Sequence, residues 1–363
     1  LLIDKNNKDS FLNPKDARTT AISQGSSRIY KNLGIWDKLQ KNAQQINSIL
    51  VSEGVQSNEL DFDNKKVGEG PLGFIIDNKI LKKALFKEII KSKFVDFSEN
   101  TEVKKIDSTK RNLVVNKKKR INYKLLLAAD GRFSKIRFHA GVKYFYHDYR
   151  QNAFVFNITH SKPHNGLALE RFFSTGPLAL LPMKDKKQRK SSVVWTVDSD
   201  ISNKSFFNQN IKQEFSKRYK KFFGDIINFS KFQKYPLNVY SCYNSSKKNI
   251  IFVGDASQAI HPIAGQGFNL GLRDALCLSQ IITEFKELGL EVNNKNLMDT
   301  YERKRFIDKT ALVSVTHNLN KLFSNDSFAI KLFRRLGLSV FSKSDYLKNQ
   351  SMIYAMGLKN LEI

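Results

Sequence analysis

The sequence predicts an α/β fold, in which a domain with a parallel sheet carries an inserted, mainly antiparallel sheet and is followed by C-terminal helices. Three observations predict it. Short apolar runs at residues 125–129 and 250–253 each end in an acid beside a glycine, as buried parallel strands often do. Residues 154–197 alternate between apolar and polar between Gly and Pro turns, which favours antiparallel strands. Apolar residues recur at helical spacing after about residue 296.

Composition bounds the class of protein. The 363 residues are 41% hydrophobic and include 28 Phe, enough for two domains or for one large domain with an inserted sheet. No apolar run approaches the roughly 18 residues that a membrane-spanning helix needs. Cys242 and Cys277 are too few for a disulfide framework, and neither Cys nor His has the spacing of a metal site. We therefore expect no metal, and two small core cysteines in a reducing compartment.

The chain is strongly basic, with 61 Lys and Arg against 34 Asp and Glu and a net charge of +27. Such a charge favours anionic partners, either a membrane surface or nucleic acid. A genome-wide bias toward Lys, Asn, Ile and Phe explains it equally well. The basic residues are spread along the chain and no nucleic-acid-binding motif is present, so we expect no nucleic-acid partner.

The first half of the chain alternates between predicted strands and helices. Residues 1–4 end a strand with Asp4 at its tip, the place of the acid that binds the adenosine ribose in dinucleotide-binding folds. A polar segment from Asp16 leads into an amphipathic helix that ends at Gly34. Residues 46–60 alternate as strands do, and residues 72–90 change from strand to helix. Residues 95–115 indicate short strands around basic turns.

The second half contains the inserted sheet and the C-terminal helices. The strand at residues 125–129 is followed by Asp130, Gly131 and a helical turn, and the inserted sheet contains the segment ERFFSTGPLALLPM from Glu170. A helix is predicted at residues 206–223, after which Tyr235 returns the chain to the main sheet. Near one face of the C-terminal helices we expect six apolar residues, with three cations off that face: Leu297, Tyr301, Leu312, Val315, Leu319 and Leu322, and Arg303, Lys304 and Arg305.

The most informative motif is NIIFVGDASQAIHPIAGQGFNLGLRDA at residues 249–275. Gly254 and Asp255 follow an apolar strand, at the edge where open α/β sheets bind ligands. Gly265, Gln266 and Gly267 lead into a helix whose N-terminus offers free N–H groups and a positive dipole end. Such a site suits an anion, or a ring oxygen that becomes negative. A glycine-rich turn can serve close packing alone, but the ordered set GD, HP, GQG, N and GxxDA favours a binding site.

The blocks around Arg18, Asp130, Glu170, Tyr235 and Gly254 together resemble the aromatic-ring flavin monooxygenases, in particular the ubiquinone-biosynthesis hydroxylase family, which is related to para-hydroxybenzoate hydroxylase. The resemblance implies a Rossmann-like FAD-binding domain, with FAD as cofactor and NADPH or NADH as reductant. The phosphate-binding glycine loop of that domain is missing before Asp4. We expect this loop upstream of Leu1, and expect the chain as given to hold FAD poorly without it.

The resemblance also implies roles for individual residues. Asp255 would bond ribityl hydroxyls of FAD, Gly254 would let the backbone approach the pyrophosphate, and Arg18 would lie along the cofactor. His261 is followed directly by Pro262, and this position favours a role in shaping the turn over a direct role in catalysis. The implied cofactor-binding residues are Asp4, Arg18, Asp130, Gly131, Gly254, Asp255, His261, Pro262, Gly265, Gln266, Gly267, Asn269 and Gly271.

The implied reaction belongs to the flavin. NAD(P)H would reduce FAD, O2 would form a flavin hydroperoxide, and the ring of a polyprenylated phenol would take the terminal oxygen. No side chain stands out as a general base. The substrate-side candidates, each equally able to be structural, are Glu170, Arg171, Trp195 and Tyr235. Two alternatives stay open: a flavin-dependent reductase or halogenase of the same fold, and a cofactor-less membrane-surface assembly partner.

We expect a discontinuous FAD-binding domain (residues 1–45, 75–148 and 240–296), a substrate-binding β-sheet domain (residues 46–74 and 149–239) and a C-terminal helical region (residues 297–363). A polyprenyl tail partitions into lipid, so we expect a cytoplasmic protein that docks peripherally on the anionic inner membrane and meets ubiquinone-biosynthesis partner proteins. The cations expected to contact the membrane are Arg303, Lys304, Arg305, Lys331, Arg334 and Arg335.

Overall fold

A computed structural model describes residues 1–54, 59–116, 119–202, 205–323, 341 and 343–358, and within them the predicted α/β class is confirmed. The strands of these residues are, in chain order, β1 (Leu2–Ile3), β2 (Thr19–Ser23), β3 (Gln44–Ile46), β4 (Ser48–Glu53), β5 (Glu59–Asp63), β6 (Gly73–Asp77), β7 (Phe97–Ser98), β8 (Val103–Asp107), β9 (Asn112–Val115), β10 (Lys119–Asn122), β11 (Leu126–Ala128), β12 (Tyr144–His160), β13 (Leu167–Phe173), β14 (Gly176–Pro182), β15 (Lys190–Asp198), β16 (Ile226–Phe229), β17 (Gln233–Cys242), β18 (Ser246–Lys247), β19 (Ile250–Phe252) and β20 (Gln258–Ala259).

Helices connect these strands and close the described chain. They are α1 (Lys8–Leu12), α2 (Gln24–Asn32), α3 (Trp36–Gln40), α4 (Asn78–Lys91), α5 (Lys135–His139), α6 (Ser199–Ser202), α7 (Ser205–Phe223), α8 (Gly267–Glu287), α9 (Lys295–Phe323) and α10 (Asp345–Ala355). Short 3₁₀ turns lie at Asn64–Lys66, Gly254–Ala256 and Ile263–Gly265. No helix within the described ranges is long and apolar enough to span a bilayer.

Strand β19 lies at the centre of the nucleotide-binding part. It pairs in parallel with β11, and Phe252 stands opposite Ala128. One face of β19 packs on α5, through residues such as Ile136, and the other on α8 and α9, through residues such as Ile281. Because both faces are covered, all three residues of β19 are buried, which explains its continuous apolar run.

The inserted sheet is the largest in the described chain, with the strand order β20-β17-β12-β15-β14-β13-β4-β5 and with β16 on β12. All its pairings are antiparallel except that of β13 with β4. One face packs against α7 through a core that includes Phe156, Leu178, Trp195 and Phe215. We call this the α7 face. The other is the inner face, because Phe172 on it packs against Ile263, in the turn that precedes α8.

The structure adds one strand to the sequence-based prediction. The polar segment that leads into the first amphipathic helix contains strand β2, whose Ala21 and Ile22 pair with Ile75 and Phe74 of β6. The partner strand supplies a hydrogen-bonding ladder that the local pattern does not reveal. The helix itself ends as predicted, with Gly34 at a φ of +67°.

The predicted faces of the C-terminal helices are only partly right. Leu297, Tyr301 and Leu312 are buried, whereas Val315 is 47% exposed. Arg305, expected off the apolar face, is buried because it pairs with two acids. The expected membrane contacts Lys331, Arg334 and Arg335 lie outside the described residues. The domain boundaries stay a prediction, and β12 runs continuously across the one expected between residues 148 and 149.

Candidate active site

Two Asp–Gly turns lie together at one edge of the parallel sheet. The Val253 N–H donates to the Ala128 carbonyl at 3.0 Å, so the turn after β19 and the turn after β11 leave neighbouring strand ends. Parallel strands bring their carboxyl ends to the same edge, where ligands of open α/β sheets bind. The structure therefore brings the predicted pair Gly254–Asp255 and Asp130–Gly131 to one place.

Gly254 occupies a position that only glycine fills without strain. Its φ is +58°, and the backbone of α8 approaches so closely that a Cβ on Gly271 would lie 3.0 Å from the Gly254 Cα. The Gly254 N–H donates to Asp274 Oδ2 at 3.0 Å. Gly254 and Gly271 thus form a close backbone contact between the turn and the helix.

Asp274 is a residue that our sequence reasoning missed as part of the site. It is buried, accepts from Gln258 Nε2 at 2.6 Å and pairs with Arg305 Nε at 2.7 Å. The sequence did contain an indication of this role: Asp274 is the acid of the GxxDA motif and falls among the apolar residues of the buried face of α8. It fixes the turn after β19 to α8 and, through Arg305, to α9.

Asp255 presents its carboxylate to solvent at the edge of the sheet. Desolvation by the surrounding protein raises the pKa of Asp255, and the positive charges of Arg132 and Arg18 oppose that rise. Within the described part of the chain no group donates a hydrogen bond to this carboxylate. It is therefore available to accept from the hydroxyls of a ligand, which is what the ribityl chain of FAD would require.

Asp130 and Gly131 form the second turn. Gly131 has a φ of +83°, and the Asp130 carboxylate accepts from the Ser134 hydroxyl and, at 3.1 Å, from the Ile136 N–H. Through these hydrogen bonds the Asp130 carboxylate stabilises the N-terminus of α5. Its predicted contact with the cofactor stays a prediction.

Two arginines after this turn support the site and were not among the predicted residues. Arg137 is buried, its guanidinium lies 4.9 Å from the ring centres of both Tyr144 and Tyr240, and it donates to the Ala256 carbonyl at 2.9 Å and to the Arg132 carbonyl at 2.8 Å. Arg132 reaches the Ile260 carbonyl at 3.4 Å. Arg137 therefore ties the two Asp–Gly turns together, and Arg132 supplies positive charge beside Asp255. Both arginines follow the Asp130–Gly131 pair closely in the sequence, and this position could have identified them as part of the site.

The GQG segment forms the beginning of α8. Gly265 has a φ of +59°, and a Cβ there would lie 3.0 Å from the Ala21 Cβ. Asn269 donates to the Ala21 carbonyl at 3.0 Å and accepts from the Ser23 N–H at 2.9 Å, which fixes β2 to α8. Gln266 donates to the Ala355 carbonyl at 3.1 Å, in α10. The N–H groups of the first turn, from Gly267, lack partners within the helix and carry its positive dipole end.

His261 and Pro262 lie behind this turn. His261 is 1% exposed, its ring meets that of Tyr149 edge-on at 5.1 Å, and neither ring nitrogen has a hydrogen-bond partner among the described residues. Desolvation, helped by the charge of Arg132, lowers the pKa of His261 to about 3, so its ring is neutral at physiological pH. Pro262, with a φ of −69°, begins the 3₁₀ turn at Ile263.

Arg18 and Tyr235 lie together, while Asp4 ends β1 at a separate two-stranded sheet. The Arg18 guanidinium lies 5.6 Å from the centre of the Tyr235 ring and pairs with Asp16 at 2.9 and 2.7 Å. This pairing raises the pKa of Arg18 and, with Lys82, keeps that of Asp16 well below its usual range. Asp4 accepts from the Asn6 N–H at 2.7 Å, and among the described strands β1 pairs with β7 alone.

The four substrate-side candidates divide between the two faces of the inserted sheet. Trp195 and Arg171 lie on the α7 face, where Trp195 is part of the core and Arg171 lies over the Phe222 ring at 4.4 Å. Glu170 lies one residue from Arg171 and so on the inner face. Tyr235 pairs with Ala153, next to Phe154 of the α7 core, and is therefore on the inner face as well.

Comparison with known proteins agrees with this architecture. Ubiquinone hydroxylase UbiL of Rhodospirillum rubrum is 29% identical over 95% of this chain and 81% of its own length. Ubiquinone hydroxylase UbiM of Neisseria meningitidis is 28% identical over 90% of this chain and 72% of its own. The crystal structure of p-nitrophenol 4-monooxygenase PnpA from Pseudomonas putida DLL-E4 superposes with a TM-score of 0.78, at 15% identity, over 98% of this chain and 91% of that one.

These relatives and the fold define the class of protein as a flavin-dependent monooxygenase, an oxidoreductase with FAD as its cofactor. The chain belongs to the family described as FAD binding domain, which matches residues 1–316. The residues at the sheet edge fit that cofactor, because the Asp255 carboxylate has no donor among the described residues and its turn contacts α8, whose N-terminus lies in the GQG segment.

Proposed function

We propose that the protein is an FAD- and NAD(P)H-dependent hydroxylase that inserts one atom of O2 into the ring of a polyprenylated phenol in ubiquinone biosynthesis. The observation that carries the proposal is the Asp255 carboxylate, which lacks a donor within the described chain and lies beside the N-terminus of α8. The names of the relatives, ubiquinone hydroxylases among them, supply the substrate class.

The proposal gives each part of the site a task. Asp255 accepts hydrogen bonds from ribityl hydroxyls, and the first N–H groups of α8 face the ring oxygens that gain negative charge. Arg18 and Tyr235 flank the cofactor on the side of the inserted sheet. FAD, when bound, supplies the reduction and oxygen-transfer chemistry. The protein orients the ring and excludes water between the inner face and the turn at Ile263.

The product of the reaction tests this proposal against its alternatives. The purified protein is supplied with FAD, NADH or NADPH, air and 2-geranylphenol, a phenol with a short prenyl tail, and the products are identified by mass spectrometry. We expect a ring that has gained one oxygen atom. A reduced prenyl double bond would indicate the reductase alternative, and a halogenated ring in the presence of halide would indicate a halogenase. A protein that consumes no NAD(P)H and changes no substrate favours the assembly partner.

We further propose that the protein docks on an anionic membrane surface of the cytoplasmic side through the outer face of α9. Phe306 and Ile307 are 57% and 74% exposed there, and they are flanked by the exposed cations Arg303 and Lys304. Apolar side chains beside cations are typical of interfacial helices, and each cation near an anionic leaflet contributes about 1 kcal/mol. Ubiquinone-biosynthesis partner proteins at that surface are part of the same proposal.

Sedimentation with vesicles tests the docking. We expect the protein to pellet with anionic vesicles at low salt and to stay in the supernatant with neutral ones. The double variant Phe306→Ser, Ile307→Ser should lose this binding. Ile227→Ser, which removes an apolar side chain that is 65% exposed on β16, is the matched control and should bind like the wild type. Equal binding by the two variants would contradict docking through α9.

A further inference from the structure

Glu170 lies in the middle of an apolar row on the inner face of the inserted sheet. The strand register places Ala179 of β14 and Val51 of β4 beside it, and Val194 and Val155 continue the row beyond Ala179. All five residues are partly accessible, whereas their neighbours on the α7 face, such as Leu180, Val193 and Phe156, are buried. The row is therefore less completely covered than the α7 face, and Glu170 is the ionisable residue in it.

This row adjoins the predicted flavin site. Phe172, two residues along β13 on the same face, packs with Ile263 and stacks on Phe323 of α9 at 4.0 Å. Ile263 begins the 3₁₀ turn that ends at Gly265, immediately before α8. A ring bound on the row would therefore contact Glu170 with the face that lies on the sheet. One edge of the ring would point toward the beginning of α8.

The surroundings of Glu170 favour its neutral form. No hydrogen-bond donor or cation contacts its carboxyl within the described chain, and desolvation raises the pKa of Glu170 to about 8. At physiological pH the group is mostly un-ionised, so it can donate one hydrogen bond and accept others. A buried polar group without a partner costs free energy, and a ligand that supplies the partner recovers that cost.

We infer that Glu170 orients the substrate: its carboxyl group hydrogen-bonds the hydroxyl of a phenol that lies on the Val155–Val51 row. The inference rests on the proposed function and identifies Glu170 as the residue that favours a ring with a hydroxyl group over a ring without one. Because the hydrogen bond fixes the ring about one substituent, it also sets which ring carbon faces the beginning of α8. Glu170 is thus a positioning and specificity-determining residue.

Ligand binding tests this role separately from turnover. Two probes are titrated into the FAD-loaded full-length protein, which includes the glycine loop expected upstream of Leu1. They are 2-geranylphenol and geranylbenzene, which lacks only the oxygen, and the change in flavin absorbance gives the Kd of each. In the wild type we expect the phenol to bind roughly tenfold more tightly than the hydrocarbon, the worth of one buried hydrogen bond. Glu170→Ala should remove this preference and Glu170→Gln should retain it. Glu214→Gln, an acid removed from α7, is the matched control and should behave like the wild type.

The pH dependence distinguishes the hydrogen bond from a merely structural role. Between about pH 7 and pH 9 Glu170 ionises and can then only accept, from the phenol O–H, in a charge-assisted hydrogen bond. The hydrocarbon cannot satisfy the charged group, so the preference of the wild type for the phenol over the hydrocarbon should grow toward pH 9. Glu170→Gln, which does not titrate, should keep a constant preference, and the phenol itself stays mostly neutral in this range.

The outcomes separate this inference from the proposed function. If Glu170→Ala keeps the wild-type preference for the phenol, or if the preference of Glu170→Gln changes with pH as that of the wild type does, the role of Glu170 is wrong while the hydroxylation stands. If the wild type binds FAD but neither binds nor hydroxylates the phenol, the proposed function is wrong and the inference falls with it.

Discussion

The backbone N–H of Gly254 and the carboxylate of Asp274 are joined by a hydrogen bond of 3.0 Å. The same carboxylate holds Arg305 at 2.7 Å, so the turn after β19 is connected to both α8 and α9 through one buried acid. Arg305 also pairs with Asp308 at 2.7 Å, and Asp308 with Arg273 at 2.8 Å. The position of the turn after β19 therefore depends on a network of buried charged residues.

Removal of Asp274 should destabilise the fold strongly. Asp274→Ala leaves Arg305 with only one of its two acids and leaves the Gly254 N–H without its acceptor, and we expect a loss of about 3 kcal/mol in the free energy of unfolding. Urea denaturation followed by circular dichroism measures it. Glu284→Ala, also on α8, breaks only an exposed pair with Lys304 and should cost less than about 1 kcal/mol. Equal midpoints for the two variants would contradict the role of Asp274.

The contact between Gly271 and Gly254 predicts a second difference in stability. Gly271→Ala places a methyl group 3.0 Å from the Gly254 Cα and should cost roughly 1 to 3 kcal/mol, because the turn or the helix has to move. Gly267→Ala on the same helix meets nothing closer than 3.7 Å and should be neutral or slightly stabilising. Thermal unfolding of the two variants compares their stabilities. If Gly271→Ala were the more stable of the two, the turn and the helix would be able to move apart without a loss of stability.

His261 predicts a pH effect on stability. Its pKa is lowered to about 3 in the folded protein from 6.5 in the unfolded chain, so the unfolded chain binds the extra proton first as the pH falls. Stability from a neutral His261 is complete above about pH 6.5 and is lost progressively on acidification, by about 2 kcal/mol between pH 7 and pH 5.

The variant His261→Phe isolates this effect, because its ring is similar in size and does not titrate. Other groups with lowered pKa, such as His160 and His164, contribute equally in both proteins and cancel. We therefore expect the stability difference between wild type and variant to shift by about 2 kcal/mol in favour of the variant from pH 7 to pH 5. A difference independent of pH would show that His261 titrates normally in the folded state.

Much of the candidate site could be predicted because its signals are local. The apolar run of β19, the glycines at 254, 265 and 267 and the helix after them all stand within one segment of sequence. Backbone conformation at Gly254 and Gly265 depends on the absence of a Cβ, and the sequence records that directly.

The remainder depends on contacts between distant segments, which no local pattern carries. Glu170 and Arg171 are adjacent, and only the pairing of β13 with β14 and the position of α7 decide which of them lies on the inner face. Arg305 has the spacing of an exposed cation, and Asp274, 31 residues earlier, makes it a buried one. Strand β2 likewise depends on its partner β6.

The affinity for FAD tests most directly that the turn after β19 binds the flavin. Equilibrium dialysis compares the wild type with Asp255→Ala and with Asp225→Ala, which removes an exposed acid paired with Lys220 on α7. All three are full-length proteins that include the glycine loop expected upstream of Leu1. The account predicts that Asp255→Ala weakens FAD binding by roughly 1.5 to 3 kcal/mol, on the order of tenfold to a hundredfold in Kd, while Asp225→Ala binds like the wild type. A folded Asp255→Ala protein with the FAD affinity of the wild type would contradict it.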